Sequence, residues 1–438
     1  MTVPQGWVLA RIGDLVQPTR PRHSPSLTPD LPFIGMEHVE AHTMRLLETI
    51  RAGEMKSAAV HFQSGDVLYG RLRPYLNKVF RPTFEGLCSA EFIVLPTSPE
   101  FEARYLQFFL NSTPFVSFAS HLNTGDRPRI DFEQIGDFPV PLAPLAEQRR
   151  IVAAIEEHLS RLDASVAGLE RVEALILPYR TAVLKAAYDG ELATSSGSRH
   201  QRAMQPLGEL LDGIQAGKSF KCEERPPADG EVGVVKVSAV TWGEFDEVES
   251  KTVGDPIQVD PRYFINQRDL LFSRANTVQL VGACVLVKSQ PRALMLSDKI
   301  LRLVPKPGVS PQWLLICLRS PQGRAAIEQL CTGNQDSMRN IGQDRIRRIP
   351  ISVGLPSATQ ELIQEVERRF SVVDAAERSV KDGLAHAARL RQAILKRAFE
   401  GRLVPQDPHD EPASVLLERI RASRAAAKTP PKRAQRRA

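Results

Sequence analysis

Two stretches of this 438-residue chain decide its fold, and each repeats the other. They are PLAEQRRIVAAIEEHLSRLDASVAGLERVEALILPYRTAVLKAAYDGEL, from Pro144 to Leu192, and PSATQELIQEVERRFSVVDAAERSVKDGLAHAARLRQAILKRAFEGRL, from Pro356 to Leu403. Both open Pro-x-x-x-Gln (Pro144/Gln148, Pro356/Gln360), and both carry an early Asp (Asp163, Asp374). Both close on Leu-Lys-x-Ala-aromatic-acid-Gly-x-Leu, at Leu184–Leu192 and Leu395–Leu403. The openings lie 212 residues apart and the closings 211, so the copies differ in length by one residue. In the first, Ile151, Ile155, Leu159, Leu162, Val166, Leu169, Val172 and Ile176 recur at three- and four-residue steps. In the second, Ile363, Val366, Phe370, Val373, Val380, Leu384, Ala387, Ile394 and Ala398 do so, interrupted by Glu377 and Arg391. This is the seam of a coiled coil. At 1.5 Å per residue, roughly 40 residues span about 60 Å. Neither helix can bury its stripe alone, and the nearest partner is the other copy. Pro144 and Pro356 sit where a missing N–H costs little, and Gly190 and Gly401 sit where a helix stop is expected. Pro178, inside the first stretch, predicts a kink. The one-residue difference turns a helix by about 100°, so the two seams cannot share one register throughout.

The flanking segments repeat as well. Residues 1–143 form a first globular unit and 204–355 a second, with a polar linker at 193–203 and a C-terminal segment at 404–438. Ile12-Gly13-Asp14-Leu15 matches Leu207-Gly208-Glu209-Leu210; Asp66, Leu68 and Arg71 match Asp269, Leu271 and Arg274. Ser89, Tyr105, Leu106, Leu110, Ser112 and Thr124-Gly125 match Ser297, Trp313, Leu314, Leu318, Ser320 and Thr332-Gly333. Ile130, Ile135, Phe138 and Pro139 match Ile341, Ile346, Ile349 and Pro350. The spacing between matches grows in small steps from 195 to 211, as a duplicated domain with loop insertions does. Short strands are expected around Asp66–Tyr69 and Glu91–Leu95, and helix from Phe101 to His121, interrupted at Asn111–Pro114.

Composition excludes several classes. Apolar content of 42% supports ordinary cores. The five cysteines show no CxxC pairing, which points to reduced thiols. No run of about 18 apolar residues and no signal-peptide layout are present, so a soluble cytoplasmic protein without membrane contact is expected. The net charge of +6 is misleading, because Arg419–Ala438 holds eight basic residues and no acid, and the remainder sums to −2. That tail reads as disordered. A nucleic-acid surface must then be a local patch.

Catalytic motifs are near-misses. Gly213–Ser219 resembles a phosphate-binding loop but has three residues between its glycines where four are needed. Pro29-Asp30 with Glu54-Met55-Lys56 mimics a nuclease pattern that the second unit lacks. His38 and His42 have no third metal ligand and read as surface histidines. No dinucleotide fingerprint and no Asn/Asp-Pro-Pro-Tyr methyltransferase motif occurs. Paired antiparallel, the helices would set the two domains at opposite ends of a rod with an approximate two-fold axis. Such a protein suits two half-sites on DNA at a fixed spacing, and the differing domain sequences make those half-sites differ.

In this layout the chain resembles the specificity subunits of type I restriction-modification enzymes. The carriers are the Pro-x-x-x-Gln helices closing on Ala187–Leu192 and Ala398–Leu403, the motif Gly65-Asp66-Val67-Leu68…Arg71 with its partner Asp269-Leu270-Leu271…Arg274, and Asp410–Leu417. The resemblance covers essentially the whole chain. It implies an α+β fold, with two similar mixed α/β target-recognition domains separated by two long antiparallel coiled-coil helices in a pseudo-two-fold arrangement. It implies a non-catalytic subunit that reads an asymmetric bipartite site on double-stranded DNA. Two methyltransferase subunits would dock on the helices and, where present, restriction (translocase-nuclease) subunits would join them. No cofactor is expected on this chain, and S-adenosylmethionine, ATP and Mg2+ would serve the partners. A coiled-coil interaction scaffold without DNA specificity, or a stand-alone nuclease, is the alternative.

Reading bases requires donors and acceptors on exposed loops. In the first domain the candidates are Arg71, Arg73, Tyr75, Asn77 and Lys78, after a strand, and Arg127 and Arg129, after Thr124-Gly125. In the second they are Arg274, Asn276 and Gln279 in the matching loop, and Asn334, Gln335, Arg339 and Asn340 after Thr332-Gly333. Arg71 and Arg274 have a structural alternative, pairing with Asp66 and Asp269.

Overall fold

The structure is a computed structural model that describes residues 3–18, 22–96, 98–123, 125–192, 202–335 and 338–428, without the side chains of 334–335 and 426–428. Thr124, most of the expected linker and the end of the basic tail lie outside the described residues. The two stretches fold as helices Leu145–Asp189, of 45 residues, and Pro356–Phe399, of 44. The chain divides into two units, Met1–Leu169 with Asp382–Ala438, and Glu170–Lys381. Each long helix therefore contributes one part to each unit.

In the first unit, Ile151, Ile155 and Leu159 of the first helix and Ile394, Leu395 and Ala398 of the second join one core with Trp7, Ile12, Tyr105, Phe115, Ile135 and Val140. Fully burying an aliphatic or aromatic side chain of this size contributes about 1.5–3 kcal/mol. Phe399 stands edge-on to Tyr105 and Phe109, both at 5.1 Å between ring centroids. The helices run antiparallel here: Asp163 pairs with Arg391, and six residues on, Leu169 packs against Gly383, where a Cβ would meet its Cδ1 at 2.9 Å. In the second unit Val183 and Ala187 share a core with Leu362, Ile363 and Val366. Arg180 reaches Asp374 Oδ1 at 2.7 Å and Glu377 Oε2 at 2.8 Å, with its guanidinium 5.4 Å from the Phe370 ring centre. The matched aspartates thus each take the matched arginine of the other helix. Glu377 and Arg391, the interruptions in the stripe, are both members of these pairs.

The first helix is continuous through Pro178, with the Thr181 hydroxyl donating to Leu177 O at 2.9 Å, which neither shows nor overturns the expected kink. Two expectations need correction. Val172, counted in the seam, is 44% exposed beside exposed Leu175 and Tyr179. A straight helix drifts about 20° per heptad against a 3.5-residue stripe, and three heptads separate Val172 from buried Ile151. The basic tail is not disordered from Arg419: Ala413–Lys428 is a helix. Its Ala413, Leu416, Leu417 and Ile420 enter the first unit's core. Arg419 is neutralised by Glu411, and Arg421 by Asp14 at 3.0 Å.

The repeated matches are visible in hydrogen bonds. Val8–Arg11 pairs antiparallel with Pro139–Leu142, and Ala203–Pro206 pairs with Pro350–Val353. Tyr105 Oη donates to Pro141 O at 2.6 Å; its counterpart Trp313 donates through Nε1 to Ser352 O at 2.7 Å. Among the described residues each unit has one parallel strand pair, Phe33 opposite Leu87 and Val234 opposite Met295. The interrupted helix is observed as Ala103–Phe109 and Thr113–His121. The opening motif departs from equivalence: Gln148 is fully buried, donating to Ala143 O at 2.8 Å, whereas Gln360 is exposed.

Candidate nucleic-acid interface

In the first unit, strand Val67–Gly70 lies between Val79–Phe80 and Phe92–Leu95. A tight turn precedes it, in which the Asp66 carboxylate accepts the Gln63 N–H at 2.9 Å and Gly65 adopts φ +93°. The second unit builds the same turn before Leu270–Ser273: Asp269 accepts the Asn266 N–H at 2.8 Å, with Arg268 at φ +71°. Burial pushes the Asp269 carboxyl above its ordinary range, against the pull of the Asn266 N–H and of Arg302 at 2.7 Å. These turns fix where each chain leaves its strand.

The residue that follows is stitched identically in both units. Arg71 N donates to Glu91 O at 2.8 Å, and Arg71 O accepts Ile130 N at 3.1 Å. Arg274 N donates to Lys299 O at 2.9 Å, and Arg274 O accepts Ile341 N at 2.9 Å. One residue further, Leu72 bridges Arg129 and Ala275 bridges Asn340. The two candidate loops of each domain, about fifty residues apart in sequence, thus form one surface in each unit. Thr332–Gln335 and Met338–Asn340 make a hairpin beside Ala275–Asn276 in the second unit.

The side chains on these surfaces differ. In the first unit Arg71 pairs with Asp131, and Arg129 forks onto Glu91 at 2.6 and 3.2 Å. Asp269, the alternative partner of Arg274, pairs instead with Arg302, and Arg274 lies against Asn340. Lys78 Nζ donates to Met36 O at 2.6 Å. Asn77 is buried at 2% exposure, its amide on Asn111 Oδ1 at 2.8 Å, so it anchors the loop from within and is not on its surface. Arg73, Tyr75 and Arg127 are exposed, and among the described residues neither arginine has a side-chain partner. In the second unit Arg274 Nε lies 3.5 Å from Asn340 Oδ1, and Arg339 donates to Gly333 O at 2.6 Å. Asn276 Oδ1 accepts the Thr277 N–H at 2.9 Å, and the Gln279 side chain is exposed. The Asn334 and Gln335 side chains lie outside the described residues.

Sequence reasoning missed the braces. Trp242 Nε1 donates to Gln279 O at 2.7 Å, and Arg324 lies 4.9 Å over the Trp242 ring while donating to Val278 O and Val281 O. Asp131 and Glu91, the counter-ions, also carried no signal; they are ordinary acids until the fold brings them to their arginines.

The near-misses resolve structurally. Gly213 to Ala216 belongs to strand Leu211–Ala216, and Ser219 bonds to Asp298. His38 is not a surface residue on a helix. It is buried in a short 3-10 turn, where its Nδ1 accepts the Gly35 N–H at 3.0 Å, and His42 sits at φ +64°. Among the described residues no cluster of three His, Cys, Asp or Glu side chains could hold a metal ion, and no helix is long and apolar enough to cross a membrane. All five cysteines are free thiols.

Residues 4–173 match the type I restriction modification DNA specificity domain. The EcoKI type I restriction enzyme specificity subunit of Escherichia coli K12 is 27% identical over 342 residues, covering 74% of this chain and 72% of that protein. The EcoEI specificity subunit of Escherichia coli is 22% identical over 500 residues, covering 91% and 83%. Over most of its length the chain is therefore similar to type I restriction enzyme specificity subunits. Solved specificity-subunit structures share its fold. A chain from a study of complex assembly and conformational transition in the type I system superimposes with a TM-score of 0.73 at 20% identity, covering 92% of this chain and all of that one. The HsdS subunit of Thermoanaerobacter tengcongensis gives 0.55 at 20% identity, covering 92% and 98%.

Proposed function

We propose that this chain is a type I specificity subunit, the non-catalytic DNA-reading component of a methyltransferase complex, with or without a restriction component, and that it recognises two different half-sites. The observation that carries this reading is the backbone stitching at Arg71 and Arg274. One scaffold presents two loop surfaces, and the side chains on them differ. Base-edge readout needs that combination, a fixed backbone with variable donors and acceptors. We assign Arg73, Tyr75 and Arg127 in the first unit, and Asn276, Gln279, Arg339 and Asn340 in the second, as the groups facing DNA. Arg71, Arg129, Lys78, Asn77 and Arg274 shape the loops around them. Residues 1–143 and 204–355 act as the two recognition domains, and the long helices join them. At about 1.5 Å per residue each helix is roughly 65 Å long. The helices also present the docking surface for two methyltransferase subunits, which bring S-adenosylmethionine, while restriction subunits bring ATP and Mg2+.

The test is DNA binding by the complex assembled with its methyltransferase partners, measured across salt concentrations. A DNA-reading complex loses affinity steeply, because each neutralised phosphate releases counterions. Binding that is absent, or unchanged between 50 and 200 mM salt, would make the chain a scaffold and not a reader.

A further inference from the structure

We propose that Arg73 reads a guanine in the half-site contacted by the first unit. The inference rests on the DNA-reading function proposed above and adds a base to it. Arg73 has φ +52° and ψ +63°, a left-handed conformation that glycine or asparagine adopts at lower cost than arginine. The surroundings impose it: Arg73 N donates to Pro128 O at 2.8 Å, and Arg73 O accepts Leu76 N at 2.9 Å. Pro74 follows, and buried Asn77 pins the far end of the turn to Asn111. A side chain at this position leaves a rigid backbone in a fixed direction.

The charge arrangement argues for a base edge over a phosphate. Four arginines meet on this surface, and two are already neutralised, Arg71 by Asp131 and Arg129 by Glu91. A patch built to hold phosphate keeps its cations free, and carboxylates beside it repel the backbone. Here the acids leave a small number of oriented donors among paired charges, which suits groove readout. The guanidinium fork matches guanine O6 and N7 with two parallel bonds, and no other base edge offers two adjacent acceptors in the major groove. Arg73 is exposed and has no side-chain partner among the described residues, so the fork is available. At the matching position of the second unit stands Asn276, a neutral amide whose Oδ1 accepts the Thr277 N–H, so the two units present different groups there.

The experiment uses the full chain co-expressed with its methyltransferase partners, and sequences native host DNA for modified adenines. Arg73→Asn removes the fork and keeps a residue that tolerates the left-handed backbone. Arg73→Lys keeps the charge and loses the fork. The wild-type motif is expected to contain a G·C pair that both variants relax. Discrimination at that single position should fall by roughly tenfold to a hundredfold, with the other half-site and the gap unchanged. An unchanged motif, with the salt slope of binding reduced by about one phosphate, makes Arg73 a backbone contact and overturns the inference. Relaxation at an A·T position overturns it too, as does loss of all modification by both variants in complexes that assemble and melt normally. If the wild-type complex itself yields no split motif, the underlying functional reading fails, and that result is distinct from the others.

Discussion

The two units share a backbone and disagree about side chains. The turn before the strand, the bonds at Arg71 and Arg274, the bridge one residue on and the buried donor at Tyr105 or Trp313 all recur. On the loop surfaces, paired and free arginines stand against amides and a hairpin. Duplication has preserved what positions a side chain and released what the side chain is. The same contrast appears where the long helices enter the units. In the first unit Trp7 Nε1 donates at 2.9 Å to buried Glu147; the second unit has Thr359 at the matching position, and Arg202 stacked 4.6 Å over the Trp313 ring.

The strongest way to break the comparison is to leave the loop surfaces unchanged and shorten the two long helices. Removing seven residues from each long helix shortens it by about 10 Å, or roughly three base pairs of DNA. Modification at the native site should fall below detection and reappear at sites with a shorter gap and unchanged half-sites. Changed half-sites with an unchanged gap would contradict the ruler. A smaller effect separates the stitches themselves. Arg71→Ala strands the Asp131 carboxylate and should cost about 1–2 kcal/mol in chemical denaturation of the chain. Arg274→Ala loses only a long bond to a neutral amide and should cost about 0.5 kcal/mol. Equal costs would show that the two arginines do the same structural work.

Glu147 sharpens the difference through pH. Burial raises its carboxyl pKa, partly opposed by Trp7 and Arg150 and reinforced by Asp410. The ionised group therefore costs stability above its folded pKa. That cost is relieved as pH falls through the folded value toward the ordinary range near 4.3, because the folded state takes up the proton first. Lowering the pH from 7 toward 5 should favour wild type over Glu147→Gln in paired thermal melts. A constant difference would place the proton elsewhere. The smallest effect belongs to the reciprocal ion pairs. Double-mutant cycles on Asp163/Arg391 and Asp374/Arg180 should give about 0.5–1 kcal/mol each. The second should be larger, since Arg180 also bonds Glu377 and lies on Phe370.

Much of this fold was legible because duplication supplies an internal comparison. The stripes, the matched aspartates and the growing offsets located both helices, the strand before Arg71 and, through its match, the strand before Arg274 without a structure. Arg391 and Glu377 looked like defects in a seam because a stripe records burial, and the partner of an interfacial charge lies on the other helix. The helix Ala413–Lys428 was obscured by its arginines, whose counter-ions Glu411 and Asp14 lie outside it. At the interface the loops were legible and the commitments of individual side chains were not. Asn77 turns inward because a 3-10 turn from Pro74 places it against Asn111, 34 residues away. Arg71 and Arg129 meet acids 60 and 38 residues distant. Spacing along a chain carries no record of such meetings.

The central claim is that one chain presents two different reading surfaces. The most direct measurement is a genome-wide map of modified adenines in a host that expresses this chain with its methyltransferase partners. The account predicts a single split motif with two unlike half-sites and one gap length, absent when this chain is omitted. A continuous motif, two identical half-sites, or modification that persists without the chain would contradict it.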